Sequence, residues 1–248
     1  MNILFTGCTT GFGKRIKLGL EAQGHKIFGV GLQGPDFFYD FAKIGVEGHP
    51  DNWVESVYTQ AEEALGPIDC LINNAGITAI DFTAQHELHN FQEVLFVNLT
   101  IPWMLSKGLV ARACNLGYGE YPKRIINTSS MGATVALRGS PGYCASKAGL
   151  EAITKVMAKE LAGTISPFII CAIAPGGVDD TGMQRYAEQE LVRTRGFTPE
   201  KAAVYNRQSP LGRNMTHEEV WKIFDFAVNH IPEYMTGTIL KCAGGMGI

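Results

Sequence analysis

The first two dozen residues restrict the fold more than any other stretch. Asn2 to Thr6 is an apolar strand, and Gly7-Cys8-Thr9-Thr10-Gly11-Phe12-Gly13 is the turn after it. Lys14 to Gln23 reads as a helix with apolar Ile16, Leu18 and Leu20, closed by Gly24. The glycines let backbone approach backbone, and the helix start presents free N–H groups and a positive dipole end. A strand, a glycine turn and a helix N-terminus therefore make a natural seat for a pyrophosphate, here with the spacing G-x-x-x-G-x-G. Glycine turns also serve tight packing alone, so the turn by itself leaves both readings open.

The rest of the chain continues the pattern. Lys26 to Gly31 is a second strand and Phe37 to Tyr39 a third, with too few residues between them for a helix. Asn52 to Leu65 is a helix stopped by Gly66-Pro67, and Ile68 to Ile72 is a strand running into Asn73-Asn74-Ala75-Gly76. Phe91 to Leu116 reads as one long helix. Pro102 cannot donate to the carbonyl four residues back, which predicts a kink near Asn98. Arg124 to Ser130 is a buried strand ending in hydroxyls, followed by a loop, Met131 to Gly142. Thr164 to Ala174 is the sixth strand, and Pro175-Gly176-Gly177-Val178 follows it. Asp179 to Arg213 is a polar excursion with two short helical patterns. Thr216-His217-Glu218-Glu219 is a capping box opening the last long helix, and Thr236 to Cys242 is the seventh strand.

Tyr143 and Lys147 are four apart in a helical pattern and share a face. Tyrosine ordinarily titrates near ~10, and a neighbouring ammonium favours the phenolate, which moves that value toward the working range. The spacing alone is cheap, since Tyr39 and Lys43 repeat it. The company differs: thirteen residues before Tyr143 stands Ser130, whereas thirteen before Tyr39 stands Lys26. A serine at a strand end beside an activated tyrosine can hold a carbonyl oxygen while charge develops on it.

With these motifs in this order, nearly the whole chain resembles the short-chain dehydrogenase/reductase family. The resemblance implies one α/β domain over residues 1–248. It would be a Rossmann-like, doubly wound, seven-stranded parallel sheet in the order 3-2-1-4-5-6-7, with a substrate lid at about 179–213. It implies hydride transfer between NAD(P)(H) and a carbonyl or secondary alcohol. Tyr143 would be the acid/base, Lys147 would lower its pKa and hold the nicotinamide ribose, Ser130 would fix the carbonyl oxygen, and Asn98 would hold a relay water. Gly7, Thr9, Thr10, Gly11, Phe12 and Gly13 would bind cofactor, with Leu32 and Asp40 on the adenine side. Asn73, Ala75 and Gly76 would lie beneath it, and Pro175, Gly176 and Val178 near the nicotinamide with Tyr143 and Lys147. A threonine contacts the carboxamide in the family; counted from Pro175 that place is Asp180, with Thr181 one residue late. Asp40 reads equally as a strand-end turn residue. Gly31-Leu32-Gln33 carries neither the acid that favours NAD nor the base that favours NADP, so both cofactors are expected, with NADP(H) slightly ahead.

Other classes remain: a catalytically silent dinucleotide sensor or scaffold, which intact Ser130, Tyr143 and Lys147 argue against, and the family's longer branch acting on nucleotide sugars. A net charge of −3 and pI near 6.1 argue against a nucleic-acid or membrane-surface partner. Phe168 to Pro175, read as the longest apolar stretch, is too short to span a bilayer. Six scattered cysteines read as reduced core residues of a cytoplasmic protein with no visible signal peptide. His86 and His89 lack a third ligand in sequence, so no metal is expected. The resemblance implies a homodimer or homotetramer through the helices at 91–116 and 143–162. Arg138 reads as a loop arginine that could meet an anionic substrate.

Overall fold

Short apolar runs bounded by glycine or polar turns become strands, and because both faces of the sheet are covered their middles are largely apolar. The strands are β1 (Asn2–Thr6), β2 (Lys26–Gly31), β3 (Phe37–Phe38), β4 (Cys70–Asn73), β5 (Lys123–Thr128), β6 (Phe168–Pro175) and β7 (Ile239–Cys242). They form one parallel sheet in the order β3-β2-β1-β4-β5-β6-β7. All eight residues of β6 are buried, as the middle of a covered sheet requires. The computed structural model describes residues 1–32, 36–38, 40, 50–116, 122–163, 168–205 and 209–247.

Helices α1 (Gly11–Ala22), α2 (Pro50–Leu65), α3 (Leu88–Leu95), α4 (Ile101–Leu116), α5 (Pro141–Leu161), α6 (Gly182–Arg195), α7 (Pro199–Tyr205) and α8 (His217–Asp225) complete the described fold. Two cores flank the sheet. One joins Leu4, Leu71 and Ile125 to Val57, Leu105 and Met157 of α2, α4 and α5. The other joins Phe5, Ile72 and Ile173 to Ile16 and Leu20 of α1 and Phe224 of α8. Strand order reverses between β1 and β4, so the loops at their carboxyl ends part and leave a crevice, the usual ligand site of such sheets.

Several boundaries move, each for a local reason. The helix expected over 91–116 is α3, a π turn at Phe96–Thr100, and α4. The deviation falls where Pro102 withholds its N–H, and the widened turn lets Ile101 N–H reach the Phe96 carbonyl. The helix after the glycine turn starts at Gly11 rather than Lys14, so two of the three glycines lie inside it. The strand expected to end at Ser130 stops at Thr128, because Ser130 turns to cap a 3₁₀ turn at Met131–Ala133. The seventh strand begins at Ile239 rather than Thr236, whose stretch is taken by turn bonds such as Thr238 N–H to the Met235 carbonyl at 3.1 Å. Tyr39, Gln33 and the start expected for the sixth strand at Thr164 lie outside the described residues. The capping box at Thr216 is present with both of its reciprocal bonds. The sequence reading overlooked one long apolar run: Leu88–Cys114 is long and apolar enough to span a bilayer, but half of its most apolar window is buried inside the fold.

Candidate active site

The carboxyl ends of β1 and β4 are stapled together. Thr6 Oγ1 accepts from Asn74 N–H at 3.0 Å and Ala75 N–H at 3.1 Å, and Asn74 Nδ2 donates to the Gly7 carbonyl at 2.9 Å. This approach needs glycine: Gly7 has φ +68°, and a Cβ there would stand 2.8 Å from Ala75 Cα. A Cβ on Gly13 would lie 2.2 Å from the Gly7 carbonyl oxygen. The start of α1 thus sits directly against the turn. Its first N–H groups have no intrahelical acceptor, the Thr10 side chain makes no capping bond, and no acidic residue stands in the first turn. That unused donor set fits a pyrophosphate. Cys8 within the turn is buried, which pushes its thiol up to about 11, so it stays a neutral packing group.

Four polar side chains converge where β5, the π turn and α5 meet. Ser130, 7% exposed, accepts from Gly132 N–H at 3.0 Å. Tyr143, in the first turn of α5, is half-buried; a Cβ on Gly132 would come within 3.2 Å of its ring. Burial pushes the Tyr143 hydroxyl above its ordinary value, and the hydrogen bond with Ser130 pulls it part of the way back. Lys147, 4% exposed, donates to the Thr128 carbonyl at 2.7 Å, and its Nζ lies 5.7 Å from the Tyr143 ring centroid. Burial pulls its pKa down to about 8.

Asn98 is wholly buried and reads a backbone like a base pair. Its Oδ1 accepts from Ile77 N–H at 2.9 Å, and its Nδ2 donates to the Ile77 carbonyl at 2.8 Å and to Ser146 Oγ at 3.1 Å. Ser146 Oγ donates in turn to the Tyr143 carbonyl at 2.8 Å. The loop after β4, the π turn and the helix bearing Tyr143 and Lys147 are thereby locked to one another.

Beyond Val178 the chain crosses the mouth of this site. Asp180 has φ +55°, the one non-glycine residue in the left-handed region among those described. That twist absorbs one residue and lets Thr181 cap α6, accepting from Gln184 N–H at 3.0 Å. Thr181 also faces the glycine turn, its Cγ2 3.8 Å from where a Cβ on Gly11 would be. Arg193 of α6 then donates to the Ile80 carbonyl and to Asp81 Oδ2, both at 3.3 Å. Arg195 donates to the Arg138 carbonyl at 2.9 Å.

The short chain dehydrogenase family's sequence profile matches residues 1–191. The chain belongs to the short-chain dehydrogenase family. It is an NAD(P)-dependent oxidoreductase of carbonyl and alcohol groups. It is 30% identical to a 3-oxoacyl-[acyl-carrier-protein] reductase of Aquifex aeolicus, covering 98% of this chain and 96% of that one. The enzyme of the same name from Escherichia coli is 28% identical over the same shares. Among solved structures, levodione reductase superposes with a TM-score of 0.83 at 25% identity, covering 99% of this chain and 96% of that one. Actinorhodin polyketide ketoreductase, in a variant with NADPH, superposes at 0.85 with 23% identity, covering 99% and 97%, which speaks for the fold.

Within this family member, the structure adds to three expectations from sequence. Burial dominates at the Tyr143 phenol, and the Lys147 ammonium donates to the Thr128 carbonyl. Asn73 ties the sheet. It is 2% exposed, and its Nδ2 donates to Asn127 Oδ1 at 2.9 Å, Ser106 Oγ at 3.2 Å and the Pro102 carbonyl at 3.3 Å. Val178 packs its side chain in the α1–α8 core, and its carbonyl accepts from Thr181 Oγ1 at 3.4 Å, so it supports that residue. Sequence reasoning missed Glu151, 7% exposed one turn beyond Lys147, which accepts from Ser129 Oγ at 2.8 Å. Its i+4 spacing from Lys147 was the available signal. At the carboxyl end of β2, Gly31 is buried beside the glycine turn, Leu32 is 54% exposed, and Asp40 is partly buried just beyond β3. Asp36 bonds Gly29 N–H at 2.7 Å through its carboxylate.

Proposed function

We propose that this chain reduces a carbonyl to a secondary alcohol, with Tyr143 as the proton donor. The observation that carries the reading is the cluster of half-buried Tyr143 with buried Ser130 and Lys147 at the crevice, in which the phenol keeps its proton at neutral pH. A protonated tyrosine suits reduction, where the new alkoxide needs a proton, better than oxidation, where a base is needed. NAD(P)H, when bound, supplies the hydride. Ser130 would donate to the carbonyl oxygen as charge grows on it, and Tyr143 would then give that oxygen its proton. Lys147 would hold the nicotinamide ribose and, close by, stabilise the phenolate left behind. Asn98 fixes Ile77 and Ser146, and its own carbonyl, lacking a donor from Pro102, is open to a relay water.

The glycine turn with Thr9, Thr10 and Phe12 would cradle the pyrophosphate, Ala75 and Gly76 would underlie the cofactor, and Pro175 and Gly176 would border the nicotinamide. Thr181 rather than Asp180 takes the carboxamide. NADP(H) is favoured slightly, because the one acid described between β2 and β3, Asp36, spends its carboxylate on Gly29. We also read residues 179–213 as a lid, and the half-exposed Trp103 on α4 and exposed Val156 on α5 as part of a homodimer or homotetramer contact in the cytoplasm.

The test is a turnover screen with NADPH and NADH over ketones, aldehydes and secondary alcohols. Ketone reduction at neutral pH, with alcohol oxidation rising toward alkaline pH, supports the reading. Tight cofactor binding with no turnover of any substrate would sink it and leave a sensor.

A further inference from the structure

A cavity of about 250 Å³ lies between the loop after β4, the loop before α5 and the end of α6. Asp81, Phe82 and Thr83 line one wall, Arg138 a second, and Thr194 and Arg195 a third. Its charges are lopsided. Asp81 shares Arg193 with Glu190: the Arg193 Nη2 stands 3.3 Å from Asp81 Oδ2 and 2.6 Å from Glu190 Oε2. Among the described residues Arg195 bonds neutral oxygens, the Arg138 carbonyl at 2.9 Å and the Tyr205 hydroxyl at 3.3 Å. Arg138 has no carboxylate partner among the described residues. Two arginines therefore line one small cavity whose lining carries a single carboxylate, that of Asp81. Placement at the end of α6 accounts for Arg195 alone, since cations favour a helix C-terminus. It does not account for Arg138, which stands on a different segment.

The cavity is tied to the reacting centre. Asp81 N–H donates to the Gly139 carbonyl at 3.0 Å, and Gly139 is four residues before Tyr143. Four residues of chain span at most roughly 14 Å, so a flexible small molecule can reach from one site to the other.

We propose that Arg138 and Arg195 form an anion-binding subsite, and that the substrate is a carbonyl compound carrying a carboxylate or phosphate several bonds from the reacting carbon. Guanidinium forks pair with either group through two parallel N–H···O bonds, which fixes orientation as well as affinity. This inference rests on the reading of Tyr143 as the proton donor to a carbonyl, so its test separates the two.

The enzyme with saturating NADPH is titrated calorimetrically with heptanoate, hexyl phosphate and, as the neutral control, methyl heptanoate. None has a reducible ketone, so binding is read without chemistry. At least one anion is expected to bind about tenfold tighter than the ester, the size of one charged hydrogen bond. Arg138→Gln should reduce that preference to threefold or less, and Arg138→Lys should keep part of it; among the described residues the Arg138 side chain makes no bond that its loss would break. A parallel assay compares methyl-ketone carboxylates of increasing chain length with their methyl esters. Equal binding of anions and ester, or an anion preference unchanged in Arg138→Gln, overturns the subsite whatever the turnover result. Anion binding lost in the variant, with no ketone reduced by the wild type, keeps the subsite and removes the reductase reading. The ratio of hexyl phosphate to heptanoate affinity tells which acid the natural substrate bears.

Discussion

At the nicotinamide end of the crevice, Asn98, Ser130, Ser146 and Lys147 are 0%, 7%, 0% and 4% exposed, and every one of them is held by a hydrogen bond of 3.1 Å or less. At the adenosine end, the sheet finishes in a two-residue strand, Gly31 has no side chain, and Leu32 is 54% exposed. The first region is cross-linked through three separate chain segments, so a change in one side chain is felt by all. Among the described residues the second is tied by short pairing between β2 and β3, the Asp36–Gly29 bond and the packing of Phe37 on the core. Proton transfer needs atoms held to fractions of an ångström, whereas a ribose edge tolerates several solutions. The contrast between the two ends follows that difference in demand.

The sharpest break would come from Tyr143→Phe. We expect kcat/KM to fall by about 100-fold or more, the usual weight of a general acid, with cofactor affinity nearly unchanged. A variant keeping a tenth of wild-type activity would move the proton donor elsewhere.

Lys147 gives the next largest effect, and it appears in stability. Its pKa is about 8 in the fold and the ordinary 10.5 in the unfolded chain, so between these values the unfolded chain holds more protons. Lys147 should therefore add stability as pH climbs from about 8 to about 10.5, by about 3 kcal/mol if the whole shift is realised, while buried thiols such as Cys8, raised to about 11, take stability away over the same range. Urea unfolding of the wild type and of Lys147→Met reads the lysine alone, as the difference between the two profiles. Lys147→Met should also impair both turnover and cofactor affinity. A difference that does not change with pH would mean that the ammonium is better solvated than its burial implies.

Asn98→Ala should cost about 2 kcal/mol in unfolding, because it strands the N–H and carbonyl of Ile77. A loss under half of that would show the loop after β4 to be held by other means.

The adenosine end can be sharpened by addition. Leu32→Arg should move the NADPH to NADH preference toward NADPH by about tenfold, the size of one charged hydrogen bond. A wild type already preferring NADH a hundredfold would reveal an acid at the ribose, with Asp40 the first to replace.

The smallest effect concerns the lid. Arg193→Ala removes exposed ion pairs to Asp81 and Glu190 and should speed limited proteolysis within 179–213 by a few-fold. Equal cleavage with and without NADPH and substrate would count against a lid at all.

Much of this molecule was legible in its sequence. The seven strands, the parallel order implied by the family likeness and the placing of Ser130, Tyr143 and Lys147 together depend on spacing, which sequence records directly. Pro102 marked a disturbance at Asn98, but whether a helix kinks or widens into a π turn depends on what packs around it, here Leu99 beneath α5 and Asn98 on Ile77. The direction of the Tyr143 shift was not legible, because helical spacing put Lys147 on the same face without saying that the Thr128 carbonyl would take its ammonium. The inward turn of the Asn73 and Val178 side chains was not legible for a related reason. Motif membership does not tell which way a side chain points, and both turn into the protein.

The π turn at Phe96–Thr100 has a consequence for any chain built on this frame. A five-residue turn holds one residue more than an α-helical turn, so α4 is out of phase with α3 by about 100° around the helix axis. Removing a single residue here would restore an unbroken helix and rotate Met104, Leu105 and Leu109 away from the core that now buries them. The extra residue works as a ratchet tooth: hydrophobic packing downstream and the inward position of Asn98 upstream advance or slip together. A lineage that lost it would have to rebuild the sheet-facing side of α4 and the active-site loop in the same step.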